Sequence, residues 1–300
     1  MSLLGLDLVH QGKVRDVYAV GDDKLLMVAS DRLSAFDVVM AEPVPNKGRV
    51  LTAMTAFFTE EVADVAPSAT IAFDPAGIEA VVPGFGSHPE LFGRTMLVWK
   101  AEMLPLECIV RGRLAGQAAQ EYLAHGTIHG EAFPPGLELA AAFDEPVFTP
   151  STKAAVGDKD ENISFDQAVG IVGEALAEEA RALSLEVFRR AEARAAKSGL
   201  ILADTKFELG LRDGALVLCD EVCTPDSSRL WPTDAVVLGQ TPPAFDKQPF
   251  RDWLEALGWD KQPPPPPVPP EIIEVTAERY VAAYEKVTGR SLEDWYGQAP

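Results

Sequence analysis

The sequence predicts a chain that mixes antiparallel hairpins with amphipathic helices, an order of elements consistent with an α+β fold. Three observations carry this expectation. One hairpin pattern lies near the N-terminus and another at 200–223. Between them, Ser164 followed by Gln167 is a capping-box signature that opens a long helical stretch. With 300 residues, 47% of them hydrophobic, the chain has ample material for a core.

In chain order, 13–20 and 24–30 read as strands joined across Gly21-Asp22-Asp23. Residues 49–65 then place Leu51, Met54, Phe57, Phe58 and Val62 at helical spacing. Pro, Gly and His residues make 74–89 an irregular stretch, and strands are expected at 95–100 and 106–111 on either side of Pro105. A helix over 114–125 precedes a loop rich in Pro and Gly that reaches Ser164. Beyond it, Gly173 divides a short helix from a longer one that stops at Gly199. The second hairpin joins 200–209 to 215–223, with Arg212-Asp213-Gly214 as a three-residue loop. The tract 263–270 reads as a stiff polyproline II spacer before a helix over 272–287.

Composition excludes several functions. A net charge of -20 argues against a nucleic-acid binder, which needs a basic footprint, and makes any local gathering of Lys and Arg informative. No run of about 18 apolar residues is present to span a membrane, and 1–11 lacks a basic region ahead of an apolar stretch, so an untargeted cytoplasmic protein is expected. Cys108, Cys219 and Cys223 read as buried residues of a reducing compartment. A zinc site built on Cys219 and Cys223 with His125 and His129 lacks the short C-x-x-C spacing.

The sharpest chemical signal lies in the second hairpin. Alternation puts Leu200, Leu202, Asp204, Lys206 and Glu208 on one face, three charges on an otherwise apolar strand. Buried charge requires a partner or a metal. An odd loop would bring Glu208 and Asp220 to the same face, with Lys206 opposite Asp220. Two readings follow: a magnesium site bridging nucleotide phosphates, or an ion-pair ladder with Lys206. Phosphate-binding loops of the G-x-x-x-x-G-K-[ST] type are absent, and Gly84-Phe85-Gly86 runs into Pro89 where a dinucleotide fingerprint needs glycine. What remains is Gly12 followed by Lys13 and Arg15, two cations on one face that could hold a triphosphate or simply line a solvated edge strand. A polar loop at 149–153 and 157–162 is too elaborate for a simple connection, and 224–229 follows the acidic strand and places Arg229 near any metal-phosphate site, although turn chemistry also favours such residues.

These segments resemble the phosphoribosylaminoimidazole-succinocarboxamide synthases, or SAICAR synthetase family, nearly end to end. The resemblance is carried by GKVRDVY at Gly12, SDRLSAFDVVM at Ser30, NKGRVLTAMTAFF at Asn46, LECIVRGRLAG at Leu106, FTPSTKA at Phe148, DKDENISF at Asp158, ILADTKFELG at Ile201, DEVCTPDSSRLW at Asp220 and FDKQPFRDWL at Phe245. It implies a β-rich nucleotide-binding domain over 1–104 and an α/β domain over 105–300, with ATP in the cleft between them. The implied reaction joins L-aspartate to the carboxylate of carboxyaminoimidazole ribonucleotide, using ATP and Mg2+ and passing through an acyl phosphate.

Carried onto this chain, Gly12, Lys13 and Arg15 would hold ATP phosphates, and Lys100, Glu102 and Met103 would receive adenine. Lys153, Asp160, Glu161 and Asn162 would lie near the nucleotide, Glu208 and Asp220 would bind Mg2+, and Lys206 with Asp204 would be catalytic. Ser34, Asp37, Arg111, Gln117, Asp226, Arg229, Lys247 and Arg251 would bind the substrates. Gln117 stands where many relatives have serine, which implies a reshaped phosphate pocket. Magnesium-phosphate chemistry alone would also suit a small-molecule kinase.

Overall fold

A computed structural model describes residues 3–35, 38–153 and 160–296. The chain forms two compact units, one made of Met1–Phe57, Ala69–Lys100 and Phe245–Pro300, the other of Phe58–Ser68 and Ala101–Ala244. The C-terminal segment therefore clusters with the first unit, which a simple division at 104/105 does not describe.

In the first unit, five antiparallel strands lie in the order Leu8–Gln11, Arg15–Val20, Lys24–Ala29, Thr95–Trp99, Thr70–Ala72. The first hairpin closes as expected, with Val20 paired to Lys24 around the turn. One face of the sheet buries Tyr18, Val20, Leu26 and Leu97 against Ile78, Val82 and Phe85. The stretch expected to be irregular contains a five-residue helix, Pro75–Glu79. Asp74 starts it by accepting from the Gly77 amide at 2.8 Å, and its single turn is too short to show a periodicity. The helix Lys47–Glu61 buries the apolar stripe read from the sequence, and Pro270–Thr288 follows the proline tract.

The second unit is built on the 13-residue strand Leu200–Arg212. It pairs antiparallel with Leu106–Arg113, Ala215–Cys219, Ser228–Pro232 and Glu102–Met103. Ala142–Phe148 and Ser151–Thr152 add to the far edge of Leu106–Arg113. The expected loop up to Ser164 thus contains strands, a correction with a plain cause. Ala142–Phe148 is an edge strand, mostly half-exposed and interrupted by Pro146, so it carries no apolar alternation to read.

The capping box is present: Ser164 Oγ accepts from Gln167 N at 3.2 Å while Gln167 Oε1 accepts from Ser164 N at 2.9 Å. Gly173 divides Phe165–Val172 from Glu174–Lys197, and the longer helix packs its Ala177, Ala180, Val187, Phe188 and Ala191 face on the sheet. Gly210 is required by close approach, since a Cβ there would meet Ala101 Cβ at 2.9 Å and push away the short strand Glu102–Met103. Burial pushes the thiols of Cys108, Cys219 and Cys223 up to about 12. No helix among the described residues is long and apolar enough to cross a membrane.

Candidate active site

Register places three charges in one row across three adjacent strands. Asp204 is opposite Arg111 on one side and Arg229 on the other, the second pairing following a bulge after Leu202. Arg111 Nη1 donates to Asp204 Oδ2 at 2.8 Å, and Arg229 Nη1 donates to the same oxygen. The Arg111 Nε donates to Thr149 Oγ1 at 3.0 Å, fixing the guanidinium plane. Two cations on one carboxylate leave a surplus positive charge in a largely buried place, which favours an anionic ligand. Burial pulls Arg111 below the ordinary arginine range, and Asp204 opposes that pull.

The row borders a cavity of about 240 Å³ lined by Ile109, Arg111, Gln117, Asp204, Thr205, Lys206, Ser227 and Arg229. Five residues singled out in the sequence, Arg111, Gln117, Asp204, Lys206 and Arg229, meet here. The helix Gly116–His125 begins at its edge, with Gln117 exposed in the first turn. A helix N-terminus adds unpaired amides and positive potential to the two arginines. Gly116 has φ 58°, and a Cβ there would meet Arg229 Nη2 at 2.5 Å, so this position must be glycine for the arginine to sit where it does.

Lys206 points along the same face, its Nζ bonded to Glu107 Oε1 at 2.5 Å. Burial works against the ammonium, but Glu107, Glu208 and Glu221 outweigh it and hold Lys206 above the usual lysine range. Burial also dominates at Glu107, raising its carboxyl despite Lys206. Glu107 was missed in the sequence. A signal existed, because alternation along Leu106–Arg113 puts Glu107 on the face of Ile109 and Arg111.

The carboxylate pair differs from expectation. Arg212 pairs with Ala215, so the hairpin turns on two residues, Asp213 (φ 52°) and Gly214 (φ 81°), not three. Glu208 consequently faces Cys219, and Lys206 is not opposite Asp220. Strand pairing ends at Cys219, and Asp220 takes φ 53°, turning the chain out of the ladder. Glu208 and Asp220 nonetheless both act on Cys219, whose thiol is raised first by burial and then by these two carboxylates. Lys153 Nζ donates to Glu208 at 2.6 Å. Among the described residues no group of three or more His, Cys, Asp or Glu could hold a metal ion. Two hard oxygen donors suit magnesium when phosphate and water complete its shell.

Of the other expected residues in this unit, Glu102 and Met103 form the short exposed strand at the edge of Leu200–Arg212. Asp160, Glu161 and Asn162 are exposed, with Glu161 N donating to Thr152 Oγ1 at 3.0 Å. Asp226 belongs to a tight turn, its amide donating to Thr224 Oγ1 at 3.2 Å. Asp158 and Lys159 of the polar loop lie outside the described residues.

In the first unit, Gly12, Lys13 and Val14 form a loop between strands, closed by Gly12 N to Arg15 O at 2.7 Å. Lys13 is exposed in that loop and Arg15 is buried at the start of the next strand, so the two cations do not share a strand face. Arg32 was also missed. It donates to Gly12 O and Lys13 O, each at 3.0 Å, and to Asp16 at 2.7 Å, bracing the loop. Ser34 starts a two-residue strand, and Asp37 lies outside the described residues. Lys100 is exposed. Lys247 precedes the helix Gln248–Leu257 and Arg251 follows one turn on, its amide bonded to Lys247 O at 3.0 Å.

The SAICAR synthetase family model matches residues 8–266. A phosphoribosylaminoimidazole-succinocarboxamide synthase from Syntrophobacter fumaroxidans is 48% identical over 289 residues, covering 96% of this chain and 95% of the relative. One from Trichlorobacter lovleyi is 49% identical, covering 95% of each. Among solved structures, a SAICAR synthase from Saccharomyces cerevisiae complexed with SAICAR superposes with a TM-score of 0.89 at 39% identity, covering 95% of this chain and 96% of that one. With a family model spanning most of its length and near-full-length relatives at almost half identity, the chain belongs to the SAICAR synthetase family.

Proposed function

We propose that this chain joins L-aspartate to the carboxylate of carboxyaminoimidazole ribonucleotide at the cost of ATP, giving SAICAR, ADP and phosphate in purine biosynthesis. The observation that carries the reading is the cavity in which Arg111, Arg229 and the start of Gly116–His125 converge beside Lys206. It suits a ribonucleotide phosphate, and Gln117 can donate its amide to the same oxygens.

A carboxylate is a poor acyl donor, so the γ-phosphoryl group of ATP is expected to convert it to an acyl phosphate that the aspartate amine attacks. Lys206 neutralises charge that develops on the transferring phosphoryl oxygens, with Glu107 fixing where its ammonium sits. Asp204, expected among the catalytic residues, acts in this reading as a positioning residue, because its bonded oxygen is committed to two arginines. Glu208 and Asp220 would hold Mg2+, which supplies charge neutralisation on the nucleotide phosphates. Lys13, braced loop and all, is assigned to ATP phosphates together with Gly12 and Arg15, and Lys153 to the nucleotide. Lys100, Glu102, Met103, Asp160, Glu161 and Asn162 complete the nucleotide assignment, while Ser34, Asp37, Asp226, Lys247 and Arg251 complete that of the substrates.

The test is a coupled ADP-release assay with aspartate and the imidazole carboxylate each omitted in turn. Full turnover without aspartate would overturn the ligase reading in favour of a kinase.

A further inference from the structure

A groove of about 760 Å³ runs along the helix Pro270–Thr288, within the first unit. Half-buried Ile273, Ala277 and Val281 recur every four residues along the helix as an apolar stripe, and Pro45 and Val268 add to the lining from other segments. The groove is braced by its own glutamates: Glu42 accepts from Val268 N at 3.1 Å, and Glu285 accepts from Leu292 N at 3.1 Å. From Ile273 to Glu285 the helix offers a length of about 18 Å at its ordinary rise, roughly three turns.

The charge around this stripe has one sign. Glu42, Glu274, Glu278 and Glu285 line the groove, and no lysine, arginine or histidine does among the described residues. Cations of the helix itself are turned elsewhere, Arg279 and Lys286 lying 5.9 and 5.7 Å over the Phe245 ring. Glu42 and Glu285 are committed to backbone amides, whereas the exposed Glu274 and Glu278 side chains make no hydrogen bond or ion pair with a described residue. Spaced i, i+4, these two repel each other, so the helix carries a like-charged pair beside an apolar stripe.

We propose that this groove is a docking site for a basic amphipathic helix of another protein. Apolar residues of that helix at i, i+3, i+4 and i+7 lie on Ile273, Ala277 and Val281, while its flanking lysines or arginines pair with Glu274 and Glu278. Charge complementarity selects this occupant. A second copy of the chain brings a net charge of -20, and a two-fold contact of this face with itself sets Glu274 and Glu278 against their own copies. Ala277 and Ala282 keep the lining low, which lets a helix backbone approach closely. The groove shares no residue with the cavity assigned to the ribonucleotide, and the proposal stands without the ligase reading.

The experiment titrates the full chain into a fluorescein-labelled peptide of about 14 leucines and lysines, with the leucines at helical spacing, and reads anisotropy. A second peptide has the same composition in scrambled order. The expected result is saturable binding of the patterned peptide at one per chain and about tenfold weaker binding of the scrambled one. Glu274→Lys/Glu278→Lys should weaken the patterned peptide about tenfold. Glu174→Lys/Glu179→Lys, an equal charge change at exposed positions of the other unit, should alter it by less than about twofold. Equal affinity for the two peptides, or equal loss in the two double variants, would overturn the proposal and leave a non-specific attraction to an acidic protein. Sedimentation showing a dimer of the unaltered chain that Val281→Glu disperses would also overturn it, in favour of a second copy on this face.

Discussion

Replacing Asp204 by Asn tests the arginine row most directly. The substitution keeps shape and one acceptor but removes the charge that two guanidinium groups share. Asp204 and Arg111 side chains are 6% and 5% exposed, whereas Arg229 is 38% exposed. Breaking a buried pair costs about 3–5 kcal/mol, and an exposed one about 0–1 kcal/mol. Arg111 keeps Thr149 and the asparagine carbonyl, and Arg229 turns to water, so the loss should fall near the lower end, about 3 kcal/mol. In thermal unfolding that is a drop of roughly 6–12 °C for a unit of this size. Urea titration monitored by tryptophan fluorescence measures it, and kinetics separate position from chemistry. KM for the ribonucleotide should rise more than kcat falls, because the arginines lose their anchor. A destabilisation below about 1 kcal/mol would refute the buried-pair account. A fall in kcat at unchanged KM would return Asp204 to the reacting groups.

Three further outcomes are expected. Asp220→Asn should cut magnesium-dependent turnover on the order of 10²-fold, and near-normal activity would remove it from the metal assignment. Ser164→Ala should cost about 1 kcal/mol in urea unfolding, since it opens the capping box, and a loss of a few tenths would mean the cap contributes little. Burial pushes Glu121 up, but donors from Gly130, Thr127 and His129 outweigh it and hold the carboxyl below its ordinary range. A lowered carboxylate stabilises above its unfolded pKa and loses that stability as pH falls through the folded one. The stability gap between the protein and Glu121→Gln should accordingly be full at neutrality and shrink as pH falls through and below the ordinary carboxylate range, and a gap constant with pH would contradict it.

Long periodic elements and local chemistry were legible in the sequence. The first hairpin, the capping box, the Gly173 break and the charged face of Leu200–Arg212 all follow from patterns within a few residues. What escaped depends on tertiary pairing. The edge strand Ala142–Phe148 has no alternation, and the hairpin register was lost by one residue because Arg212 joins the ladder instead of the loop. That one-residue slip moved Asp220 off the face shared with Lys206. Arg111 and Arg229 could be named from the resemblance, but that they share Asp204 follows only from register across three strands. Arg32 and Glu107 were missed because each acts on a residue distant in sequence.

The three buried cysteines have a practical consequence. With their thiols pushed up to about 12, they are almost entirely protonated near neutrality and shielded from reagents. The protein is thus close to a blank background for thiol labelling. A single cysteine introduced at an exposed position such as Leu123 or Leu238 would carry a probe almost alone, without first deleting native residues from the core. Probes at both positions together would report on the second unit alone during turnover.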